Sequence, residues 1–405
     1  MPATAQRAAL PLSVIVSAGC VIALMTFGGR SVMGLFTVPM TTDLGWSRET
    51  YGLAMAIQNL VWGIAQPIAG GLADKYGTAR ILAFGALIYA AGFFGMAFGT
   101  GEGMLYLTGG LLMGVGIATT SFGLVMAAFG RNVPQERRPM IFGIATAASS
   151  MGQFVFAPLG QAFISAFGWQ MALVYLGAIL LLVIPLSVTL RGKADNTTGG
   201  ADMPFMQALS RAWGFGSYRL LVIGFFVCGF HLAFITVHLP AYLIQCGLSP
   251  NVGSWSIAII GLFNVIGSLL AGYLGGKFPK QIMLSIIYLS RAIVTGLFLL
   301  IPVSEVTAYL YAAVLGLLWL ATVPLTAGLV TMFFGARYMG MLYGIAFLSH
   351  QIGGFLGVWL GGLAFDQTGS YAIIWYLGML LGVGSAAIHL PIREQKDEAF
   401  ELVPA

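Results

Sequence analysis

Long apolar runs alternate with short polar breaks along the whole chain. Each run is about 20 residues or longer, the length that an α-helix needs to cross the hydrocarbon core of a bilayer. The pattern predicts twelve such helices, at residues 12–38, 51–72, 79–99, 104–130, 139–164, 169–190, 218–245, 253–275, 281–302, 306–333, 340–365 and 370–391. The chain is therefore predicted to be an all-α membrane protein.

One polar stretch is much longer than the other breaks. Residues 191–217 are rich in Gly, Thr, Asp and Asn, which is typical of a linker. This linker divides the chain into two predicted six-helix bundles, residues 1–190 and residues 218–405, the second with a short tail.

The composition supports a membrane protein and argues against an enzyme. Hydrophobic residues make up 59% of the chain and charged residues only 8%, too little polar surface to cover a soluble globule. Gly353, Gly357 and Gly361 recur every four residues, as in closely packed membrane helices. The three cysteines show no metal-ligand spacing, and the chain has no nucleotide-binding loop or Ser/His/Asp constellation. We expect no catalysis, no metal and no other cofactor.

The basic residues predict the orientation. Of the 18 Lys and Arg residues, all but Arg30, Arg48 and Arg291 fall on the side shared by both termini and the linker. By the positive-inside rule that side is the cytoplasm, and the protein is expected in the inner (plasma) membrane. The net charge of +5 is explained by this topology and requires no nucleic-acid partner. We expect a monomer surrounded by lipid.

The two halves resemble each other at an offset of about two hundred residues. "GGLADKYG" (Gly70–Gly77) aligns with "GYLGGKFP" (Gly272–Pro279), and "FGIATAASSMGQF" (Phe142–Phe154) aligns with "YGIAFLSHQIGGF" (Tyr343–Phe355). A tandem membrane repeat in which both copies have the same orientation places a substrate site between the halves, near the middle of the bilayer. This architecture predicts transport by alternating access.

The stretch "GGLADKYGTAR" (Gly70–Arg80) resembles the cytoplasmic signature of the major facilitator superfamily, and the resemblance extends over the whole chain. It implies the twelve-helix fold of that superfamily, with pseudo-symmetric halves. It also implies a cytoplasmic gate motif that clamps helix ends in the outward-open state. The residues that match this motif are Gly70, Asp74, Lys75, Gly77 and Arg80. The second copy has Gly276 where Asp74 stands, so a symmetric charge lock is not expected.

Within the superfamily, "GRSVMGLF" (Gly29–Phe36) and "DLGWSRETYGLA" resemble the monocarboxylate porter and oxalate/formate antiporter branch. In that branch a cationic residue of helix 1 takes part in handling the substrate anion and protons, and Arg30 occupies its place. The relatives also carry an arginine in helix 8, one turn after an acid or amide. Here Asn264 is followed by Ser268, so only half of that anion site is present.

Arg30 lies inside a spanning helix, where an arginine costs at least about 2.5–3.5 kcal/mol on insertion scales. It is therefore expected to face a cavity, a partner or water. Every Asp and Glu falls in a loop, the linker or the tail, so no helix interior supplies a carboxylate partner. The substrate anion is then the natural counter-ion of the guanidinium. Snorkelling to the interface and a structural arginine satisfied by carbonyls are the alternatives.

Other polar residues within the predicted helices are candidates for substrate binding. They are Gln58, Gln153, His231, His238, Asn264, His350 and Gln351. The amides serve equally well as hydrogen-bonding links between helices. His231 and His238 are the candidates for proton coupling, since histidine is the ordinary side chain that titrates near neutral pH, although each is also explained as a packing residue.

Arg291, in helix 9, has two interpretations. It is either a structural arginine bonded to neighbouring carbonyls or a second cation that reaches the substrate cavity. A second cation would favour a dicarboxylate, whereas Arg30 alone favours a monocarboxylate.

These observations together predict a secondary active transporter of small organic anions, resembling monocarboxylates, that works as a proton symporter or an anion exchanger. The alternative within transport is an exporter of amphipathic or aromatic compounds, suggested by the Phe- and Met-rich helices. A receptor on a carrier scaffold is the alternative outside transport.

Overall fold

The computed structural model describes residues 11–192 and 205–397, and the regular structure in these two ranges is entirely helical. Twelve long helices are present, as the apolar runs predict. They are α1 (Leu12–Leu44), α2 (Arg48–Tyr76), α3 (Thr78–Phe98), α4 (Glu102–Asn132), α5 (138–167), α6 (169–190), α7 (Gly216–Gln245), α8 (Pro250–Gly275), α9 (Lys280–Leu300), α10 (Glu305–Gly335), α11 (Tyr338–Thr368) and α12 (Ala372–His389). A short helix, Phe205–Gly214, precedes α7. Residues 1–10, most of the predicted linker (193–204) and the tail 398–405 lie outside the described residues.

Mean hydropathy alone separates fewer segments than the pattern of apolar runs does. Ten segments of the described chain are long and apolar enough to span a membrane, and one of them, Met140–Leu190, is two helices that meet at Gly168, where φ is 79°. The remaining helix, α2, is less apolar because it carries several amides. Both α2 and α11 extend a few residues beyond their predicted ends, since polar end turns continue a helix past its apolar part.

Each half has its own hydrophobic core, and the halves meet along α2 with α11 and α5 with α8. Within the second half, the glycine stripe of α11 packs against the backbone of α7. A Cβ atom at Gly353 would lie 2.0 Å from the Phe226 carbonyl oxygen, and one at Gly357 would lie 2.5 Å from that of Phe230. The close helix packing predicted from this stripe is confirmed.

The two faces of the bundle differ. The linker face carries Gly77, Arg131 and Gly192, and the opposite face, here called the far face, carries Arg48 and Asp366. Hydrogen bonds connect the two halves at the far face. Both carboxylate oxygens of Asp366, in α11, accept backbone N–H groups from the first turn of α2, those of Arg48 (3.0 Å) and Glu49 (2.6 Å).

Further contacts close the far face. The Arg48 guanidinium donates to the Tyr371 hydroxyl at 3.0 Å, and Trp359 Nε1 donates to the Glu49 carboxylate at 3.1 Å. Toward the linker face the halves instead enclose a groove of about 480 Å³ between α2, α4 and the first part of α11, with Asp74 in its wall. The groove joins the central cavity through shared wall residues, including Gln66 and Tyr343. The halves are therefore hydrogen-bonded to each other at the far face, and at the linker face a groove that leads to the central cavity separates them.

We expect Asp366→Ala to populate a conformation that is open at the far face. The variant loses two charge-assisted hydrogen bonds between the halves, and the loss of about 1.4 kcal/mol of differential stability already changes the ratio of two states tenfold. Spin labels on the exposed Cys246 and on a cysteine introduced at Thr42 would report the distance across this face in a background without Cys20. The longer distance should gain population about tenfold.

Asp43→Ala is the matched control for this experiment. The Asp43 carboxylate accepts from Trp169 Nε1 at 2.9 Å, and both residues belong to the first half. Its removal should leave the distance distribution unchanged. An unchanged distribution in Asp366→Ala as well would show that the Asp366 contact does not hold the far face closed.

Candidate substrate cavity

A cavity of about 490 Å³ lies between the two halves, a size typical of small-molecule sites. Six helices form its wall. The first half contributes Thr26, Phe27 and Arg30 of α1, Trp62 and Gln66 of α2, and Ile117, Thr120, Ser121, Phe122, Gly123 and Met126 of α4. The second half contributes residues of α7, α10 and α11, among them Phe225, Thr236, Trp319, Leu320, Tyr343, Phe347 and His350. The wall is mostly aromatic and aliphatic, with few polar groups.

Arg30 is the charged residue of this wall. Its Nη2 donates to Asn59 Oδ1 at 3.2 Å, and its guanidinium carbon lies 4.5 Å from the centre of the Trp62 ring. In the described part of the chain, no carboxylate lies within 4.0 Å of this guanidinium. The Asn59 amide is held in turn by its own Nδ2, which donates to the Met55 carbonyl at 2.8 Å. Neutral groups thus hold the arginine in place without neutralising it.

A chain of hydrogen bonds continues from this point into the second half. Gln351 Nε2, in α11, donates to the Asn59 backbone carbonyl at 3.0 Å, and Gln351 Oε1 lies 2.8 Å from His350 Nδ1. Since the amide oxygen only accepts, His350 Nδ1 carries the proton in this arrangement. The His350 ring packs between the rings of Phe225 and Phe347 and lines the cavity. Arg30 of the first half and His350 of the second half, both predicted to bind substrate, therefore line the same cavity.

Two of the predicted amides link helices and do not line the cavity. Gln58 Nε2 donates to the Gly109 carbonyl at 2.9 Å and connects α2 to α4. Gln153 Nε2 donates to the Ile257 carbonyl at 3.0 Å and connects α5 of the first half to α8 of the second. Of the two interpretations of these residues, the geometry fits links between helices.

His231 and His238 also lie outside the cavity wall in this conformation. His231 Nε2 is 2.7 Å from the Gly378 carbonyl of α12, and His238 Nε2 is 2.8 Å from the Val358 carbonyl of α11. Both side chains are buried, and a ring nitrogen facing a carbonyl oxygen is a donor. Each histidine therefore joins α7 to a neighbouring helix, and neither faces the Arg30 site.

Asn264 and Arg291 meet at an interruption of α10. The regular helix stops at Leu318 and resumes at Thr322, and Trp319 and Leu320 in between line the cavity. Arg291 Nη2 donates to the carbonyls of Leu318 (2.6 Å) and Trp319 (2.5 Å). The structure thus shows the carbonyl-bonded arginine of the first interpretation.

The amide of Asn264 completes this interruption. Asn264 Oδ1 accepts the Leu320 N–H at 3.0 Å, and its Nδ2 donates to Ser150 Oγ at 2.9 Å. The resemblance places Asn264 in an anion site. Its amide is instead hydrogen-bonded to the Leu320 backbone and to Ser150 of α5. It positions Leu320 in the cavity wall and does not itself line the wall.

The gate motif lies at the linker face, where the groove opens. Asp74 pairs with Arg131 at the end of α4 at 3.7 Å, and Arg131 also donates to Thr78 Oγ1. Gly77 separates α2 from α3 with φ at 95°, a value that L-residues rarely adopt. Lys75 and Arg80 are exposed, and Gly70 lines the groove. In this conformation the motif joins α2, α3 and α4 within the first half.

Sequence reasoning missed Asn59 and the contact of Arg30 with Trp62. Asn59 directly follows Gln58, and the polar stripe that helical spacing indicates on α2 runs through Gln58, Trp62 and Gln66. Asn59 and Trp62 are three residues apart and therefore lie on the same side of α2. This spacing is the sequence signal that indicates the pair.

The helices, the two-half arrangement and the cavity define a multi-pass membrane transporter. The family model of the Major Facilitator Superfamily matches residues 19–358, and the chain belongs to this superfamily. It is 27% identical over 385 residues to "Uncharacterized MFS-type transporter YcxA" of Bacillus subtilis (strain 168), an alignment that covers 92% of this chain and 93% of that protein. It is 26% identical over 370 residues to "Monocarboxylate transporter 13" of Bos taurus, covering 90% and 85%.

Solved structures show the same fold. The D-xylose-proton symporter superposes with a TM-score of 0.73 at 16% identity, covering 95% of this chain and 98% of that one. A bacterial homolog of the human lysosomal transporter Spinster, in an inward-facing and unoccupied conformation, superposes with a TM-score of 0.69 at 15% identity, covering 93% and 94%. The predicted superfamily, its fold and the resemblance to monocarboxylate transporters are thus confirmed.

Proposed function

We propose that this protein is a secondary active transporter of small organic anions of the monocarboxylate type, with Arg30 as the counter-ion of the substrate. The observation that carries the proposal is an arginine in the wall of a cavity between the halves, held by Asn59 and Trp62 without a carboxylate. A planar guanidinium binds a carboxylate through two parallel hydrogen bonds. The relatives named monocarboxylate transporters support the same substrate class.

The charge of Arg30 also favours a coupled mechanism. With an anion bound, the pair is neutral and the cavity can close around it. Without an anion, a bare guanidinium must pass through an occluded state of low dielectric, which raises the energy of that state. The empty carrier therefore returns slowly, and anion exchange or symport with a proton is favoured. For symport, His350 is the histidine that shares the cavity with Arg30.

The proposed orientation follows from the basic residues. The linker face is the cytoplasmic face, both termini lie there, and the groove described above faces the cytoplasm. We place the protein in the inner (plasma) membrane as a monomer.

Counterflow in proteoliposomes tests the proposal. Vesicles preloaded with an unlabelled short monocarboxylate such as lactate should accumulate the labelled acid transiently above equilibrium, and protein-free vesicles give the background. Fast electrogenic uptake into empty vesicles, independent of pH and of internal substrate, would contradict the exchange or symport mechanism.

The aromatic wall favours one alternative, an exporter of amphipathic or aromatic compounds. Phe27, Trp62, Phe122, Phe225 and Phe347 all line the cavity. Such an exporter would bind neutral aromatic compounds, and its affinity for them would not depend on Arg30. Competition of neutral aromatic compounds against a labelled carboxylate, repeated in Arg30→Gln, separates the two functions.

A further inference from the structure

α4 is interrupted at the same place in the repeat as α10. Its helical turns stop at Thr119 and resume at Phe122, and Ser121 between them is extended, with φ at −62° and ψ at 151°. The interruption of α10 at residues 319–321 lies about two hundred residues later, at the repeat offset. Each interruption creates a helix end inside the bundle, where backbone N–H and C=O groups lose their helical partners.

The backbone groups freed at the two interruptions differ in whether they have hydrogen-bond partners. In α10, Arg291 binds the free carbonyls and Asn264 binds a free N–H, so this interruption is satisfied. In α4, the Ser121 side chain does not cap the second segment, Phe122–Asn132. Within the described residues, no carbonyl accepts from the N–H groups of Phe122 or Gly123.

Ser121 itself is also unsatisfied. Ser121 is 8% exposed, and its hydroxyl neither caps the second segment nor bonds to another described residue. Ser121, Phe122 and Gly123 all line the cavity that holds Arg30. One hydroxyl and two backbone N–H groups, all without a partner among the described residues, therefore belong to residues that line the same cavity.

Gln66, on the neighbouring helix α2, adds a further donor. Its Oε1 accepts from Trp62 Nε1 at 2.6 Å, which leaves the NH₂ group of the amide to point elsewhere. A Cβ atom built on Gly123 would lie 3.8 Å from Ser121 Oγ and 4.0 Å from Gln66 Nε2. The absence of a side chain at Gly123 thus keeps open a space whose neighbours are hydrogen-bond donors.

We infer that the start of the Phe122–Asn132 segment is a second binding point of the substrate cavity, which receives a hydrogen-bond acceptor of the transported carboxylate. The inference rests on the proposed function, because it assigns the carboxylate group to Arg30. A helix N-terminus carries roughly half a positive charge, against the full charge of the guanidinium. One carboxylate and one uncharged oxygen acceptor therefore match the two points, and the aromatic wall packs the apolar chain between them. The substrate class is a monocarboxylate that carries one further uncharged oxygen acceptor.

A series of acids that varies the spacing between carboxylate and acceptor tests this assignment. Hexanoate carries the carboxylate alone, and 2-, 3-, 4- and 5-oxohexanoate add one uncharged acceptor at increasing distance. We expect the best oxohexanoate to bind the purified protein about tenfold more tightly than hexanoate, the value of one well-placed hydrogen bond. Equilibrium binding measured through ligand-induced thermal stabilisation gives both affinities.

Two substitutions remove the donors. Phe122→Pro deletes one free N–H at the first helical position, where proline is tolerated, and the extended Ser121 suits the residue before a proline. Phe122→Ala is its matched control, because it loses the ring and keeps the N–H. The tenfold preference should fall to about twofold in Phe122→Pro and in Ser121→Ala and should persist in Phe122→Ala, because loss of the ring weakens hexanoate and oxohexanoate binding alike.

The outcomes separate this inference from the proposed function. Oxohexanoates that bind no tighter than hexanoate, or a preference that survives Phe122→Pro and Ser121→Ala, overturn the second binding point while Arg30-dependent hexanoate binding stands. Hexanedioate binding more tightly than every oxohexanoate overturns the uncharged acceptor. Hexanoate binding that is unchanged in Arg30→Gln overturns the proposed function itself. Should Phe122→Pro fail to fold, Ser121→Ala decides the test alone.

Discussion

Replacement of Arg30 by Gln is expected to reduce carboxylate binding and exchange about 100-fold, because a charge-assisted bidentate interaction contributes about 1.5–3 kcal/mol. Glutamine keeps a hydrogen-bond donor beside Asn59 and removes the only charge of the cavity wall in the described chain. The fold should persist, since no ion pair within the described chain is broken. Counterflow of a labelled carboxylate and ligand-induced thermal stabilisation measure the two effects.

Two further variants define what Arg30 contributes. Arg30→Lys keeps the charge and loses the planar fork, so an intermediate affinity is expected. Arg219→Gln removes a charge of the same kind from an exposed position at the start of α7, and it should transport as the wild type does. Equal counterflow in wild type and Arg30→Gln would assign Arg30 a structural role and direct attention to neutral solutes.

The fold was predictable because the bilayer imposes a simple rule on the chain. Apolar runs of spanning length gave twelve helices, and the alignment of "GGLADKYG" with its copy gave the two halves. The same rule does not give helix ends, since hydropathy marks only the part of a helix within the hydrocarbon. Mean hydropathy also marks α2 less clearly, because its amides lower the value although Gln58 hydrogen-bonds to α4 and the Asn59 side chain accepts from Arg30 of α1.

The site was predictable only in part, because a buried amide looks the same in sequence whether it binds a ligand or a carbonyl. Gln58 and Asn59 are adjacent, and only the structure shows that Gln58 faces α4 while Asn59 faces Arg30. The histidines of α7 raise the same problem, since both reach carbonyls of other helices. Arg30 was identifiable because a charge within a spanning segment has few explanations and the acids of the chain all lie elsewhere.

The interruption of α10 has a local cause that is visible in the sequence. Pro324 lacks an N–H group, and its ring would clash with the carbonyl of Leu320 in a continuous helix. The freed backbone groups then need partners from other helices. Those partners, Asn264 of α8 and Arg291 of α9, belong to tertiary structure and could not be assigned from spacing.

Replacement of Arg291 by Leu is therefore expected to lower the stability of the folded protein by about 3 kcal/mol, since buried carbonyls lose a charged donor. Arg291 is 1% exposed, and it binds the Leu318 and Trp319 carbonyls and contacts Cys228 Sγ at 3.4 Å. Leucine fills part of the volume but leaves these acceptors without partners. The midpoint of thermal unfolding in detergent should fall by several degrees.

Leu289→Ala is a suitable control on the same helix, because Leu289 is 43% exposed on the outside of the bundle and its truncation should change the midpoint little. Arg291→Lys should recover only part of the loss, since one ammonium on a flexible stem replaces a planar guanidinium whose Nη2 reaches both carbonyls and whose Nη1 contacts Cys228. A wild-type midpoint in Arg291→Leu would show that the interruption of α10 needs no cationic partner. The expected loss would instead show that the interruption of α10, which places Trp319 and Leu320 in the cavity wall, depends on a cationic partner.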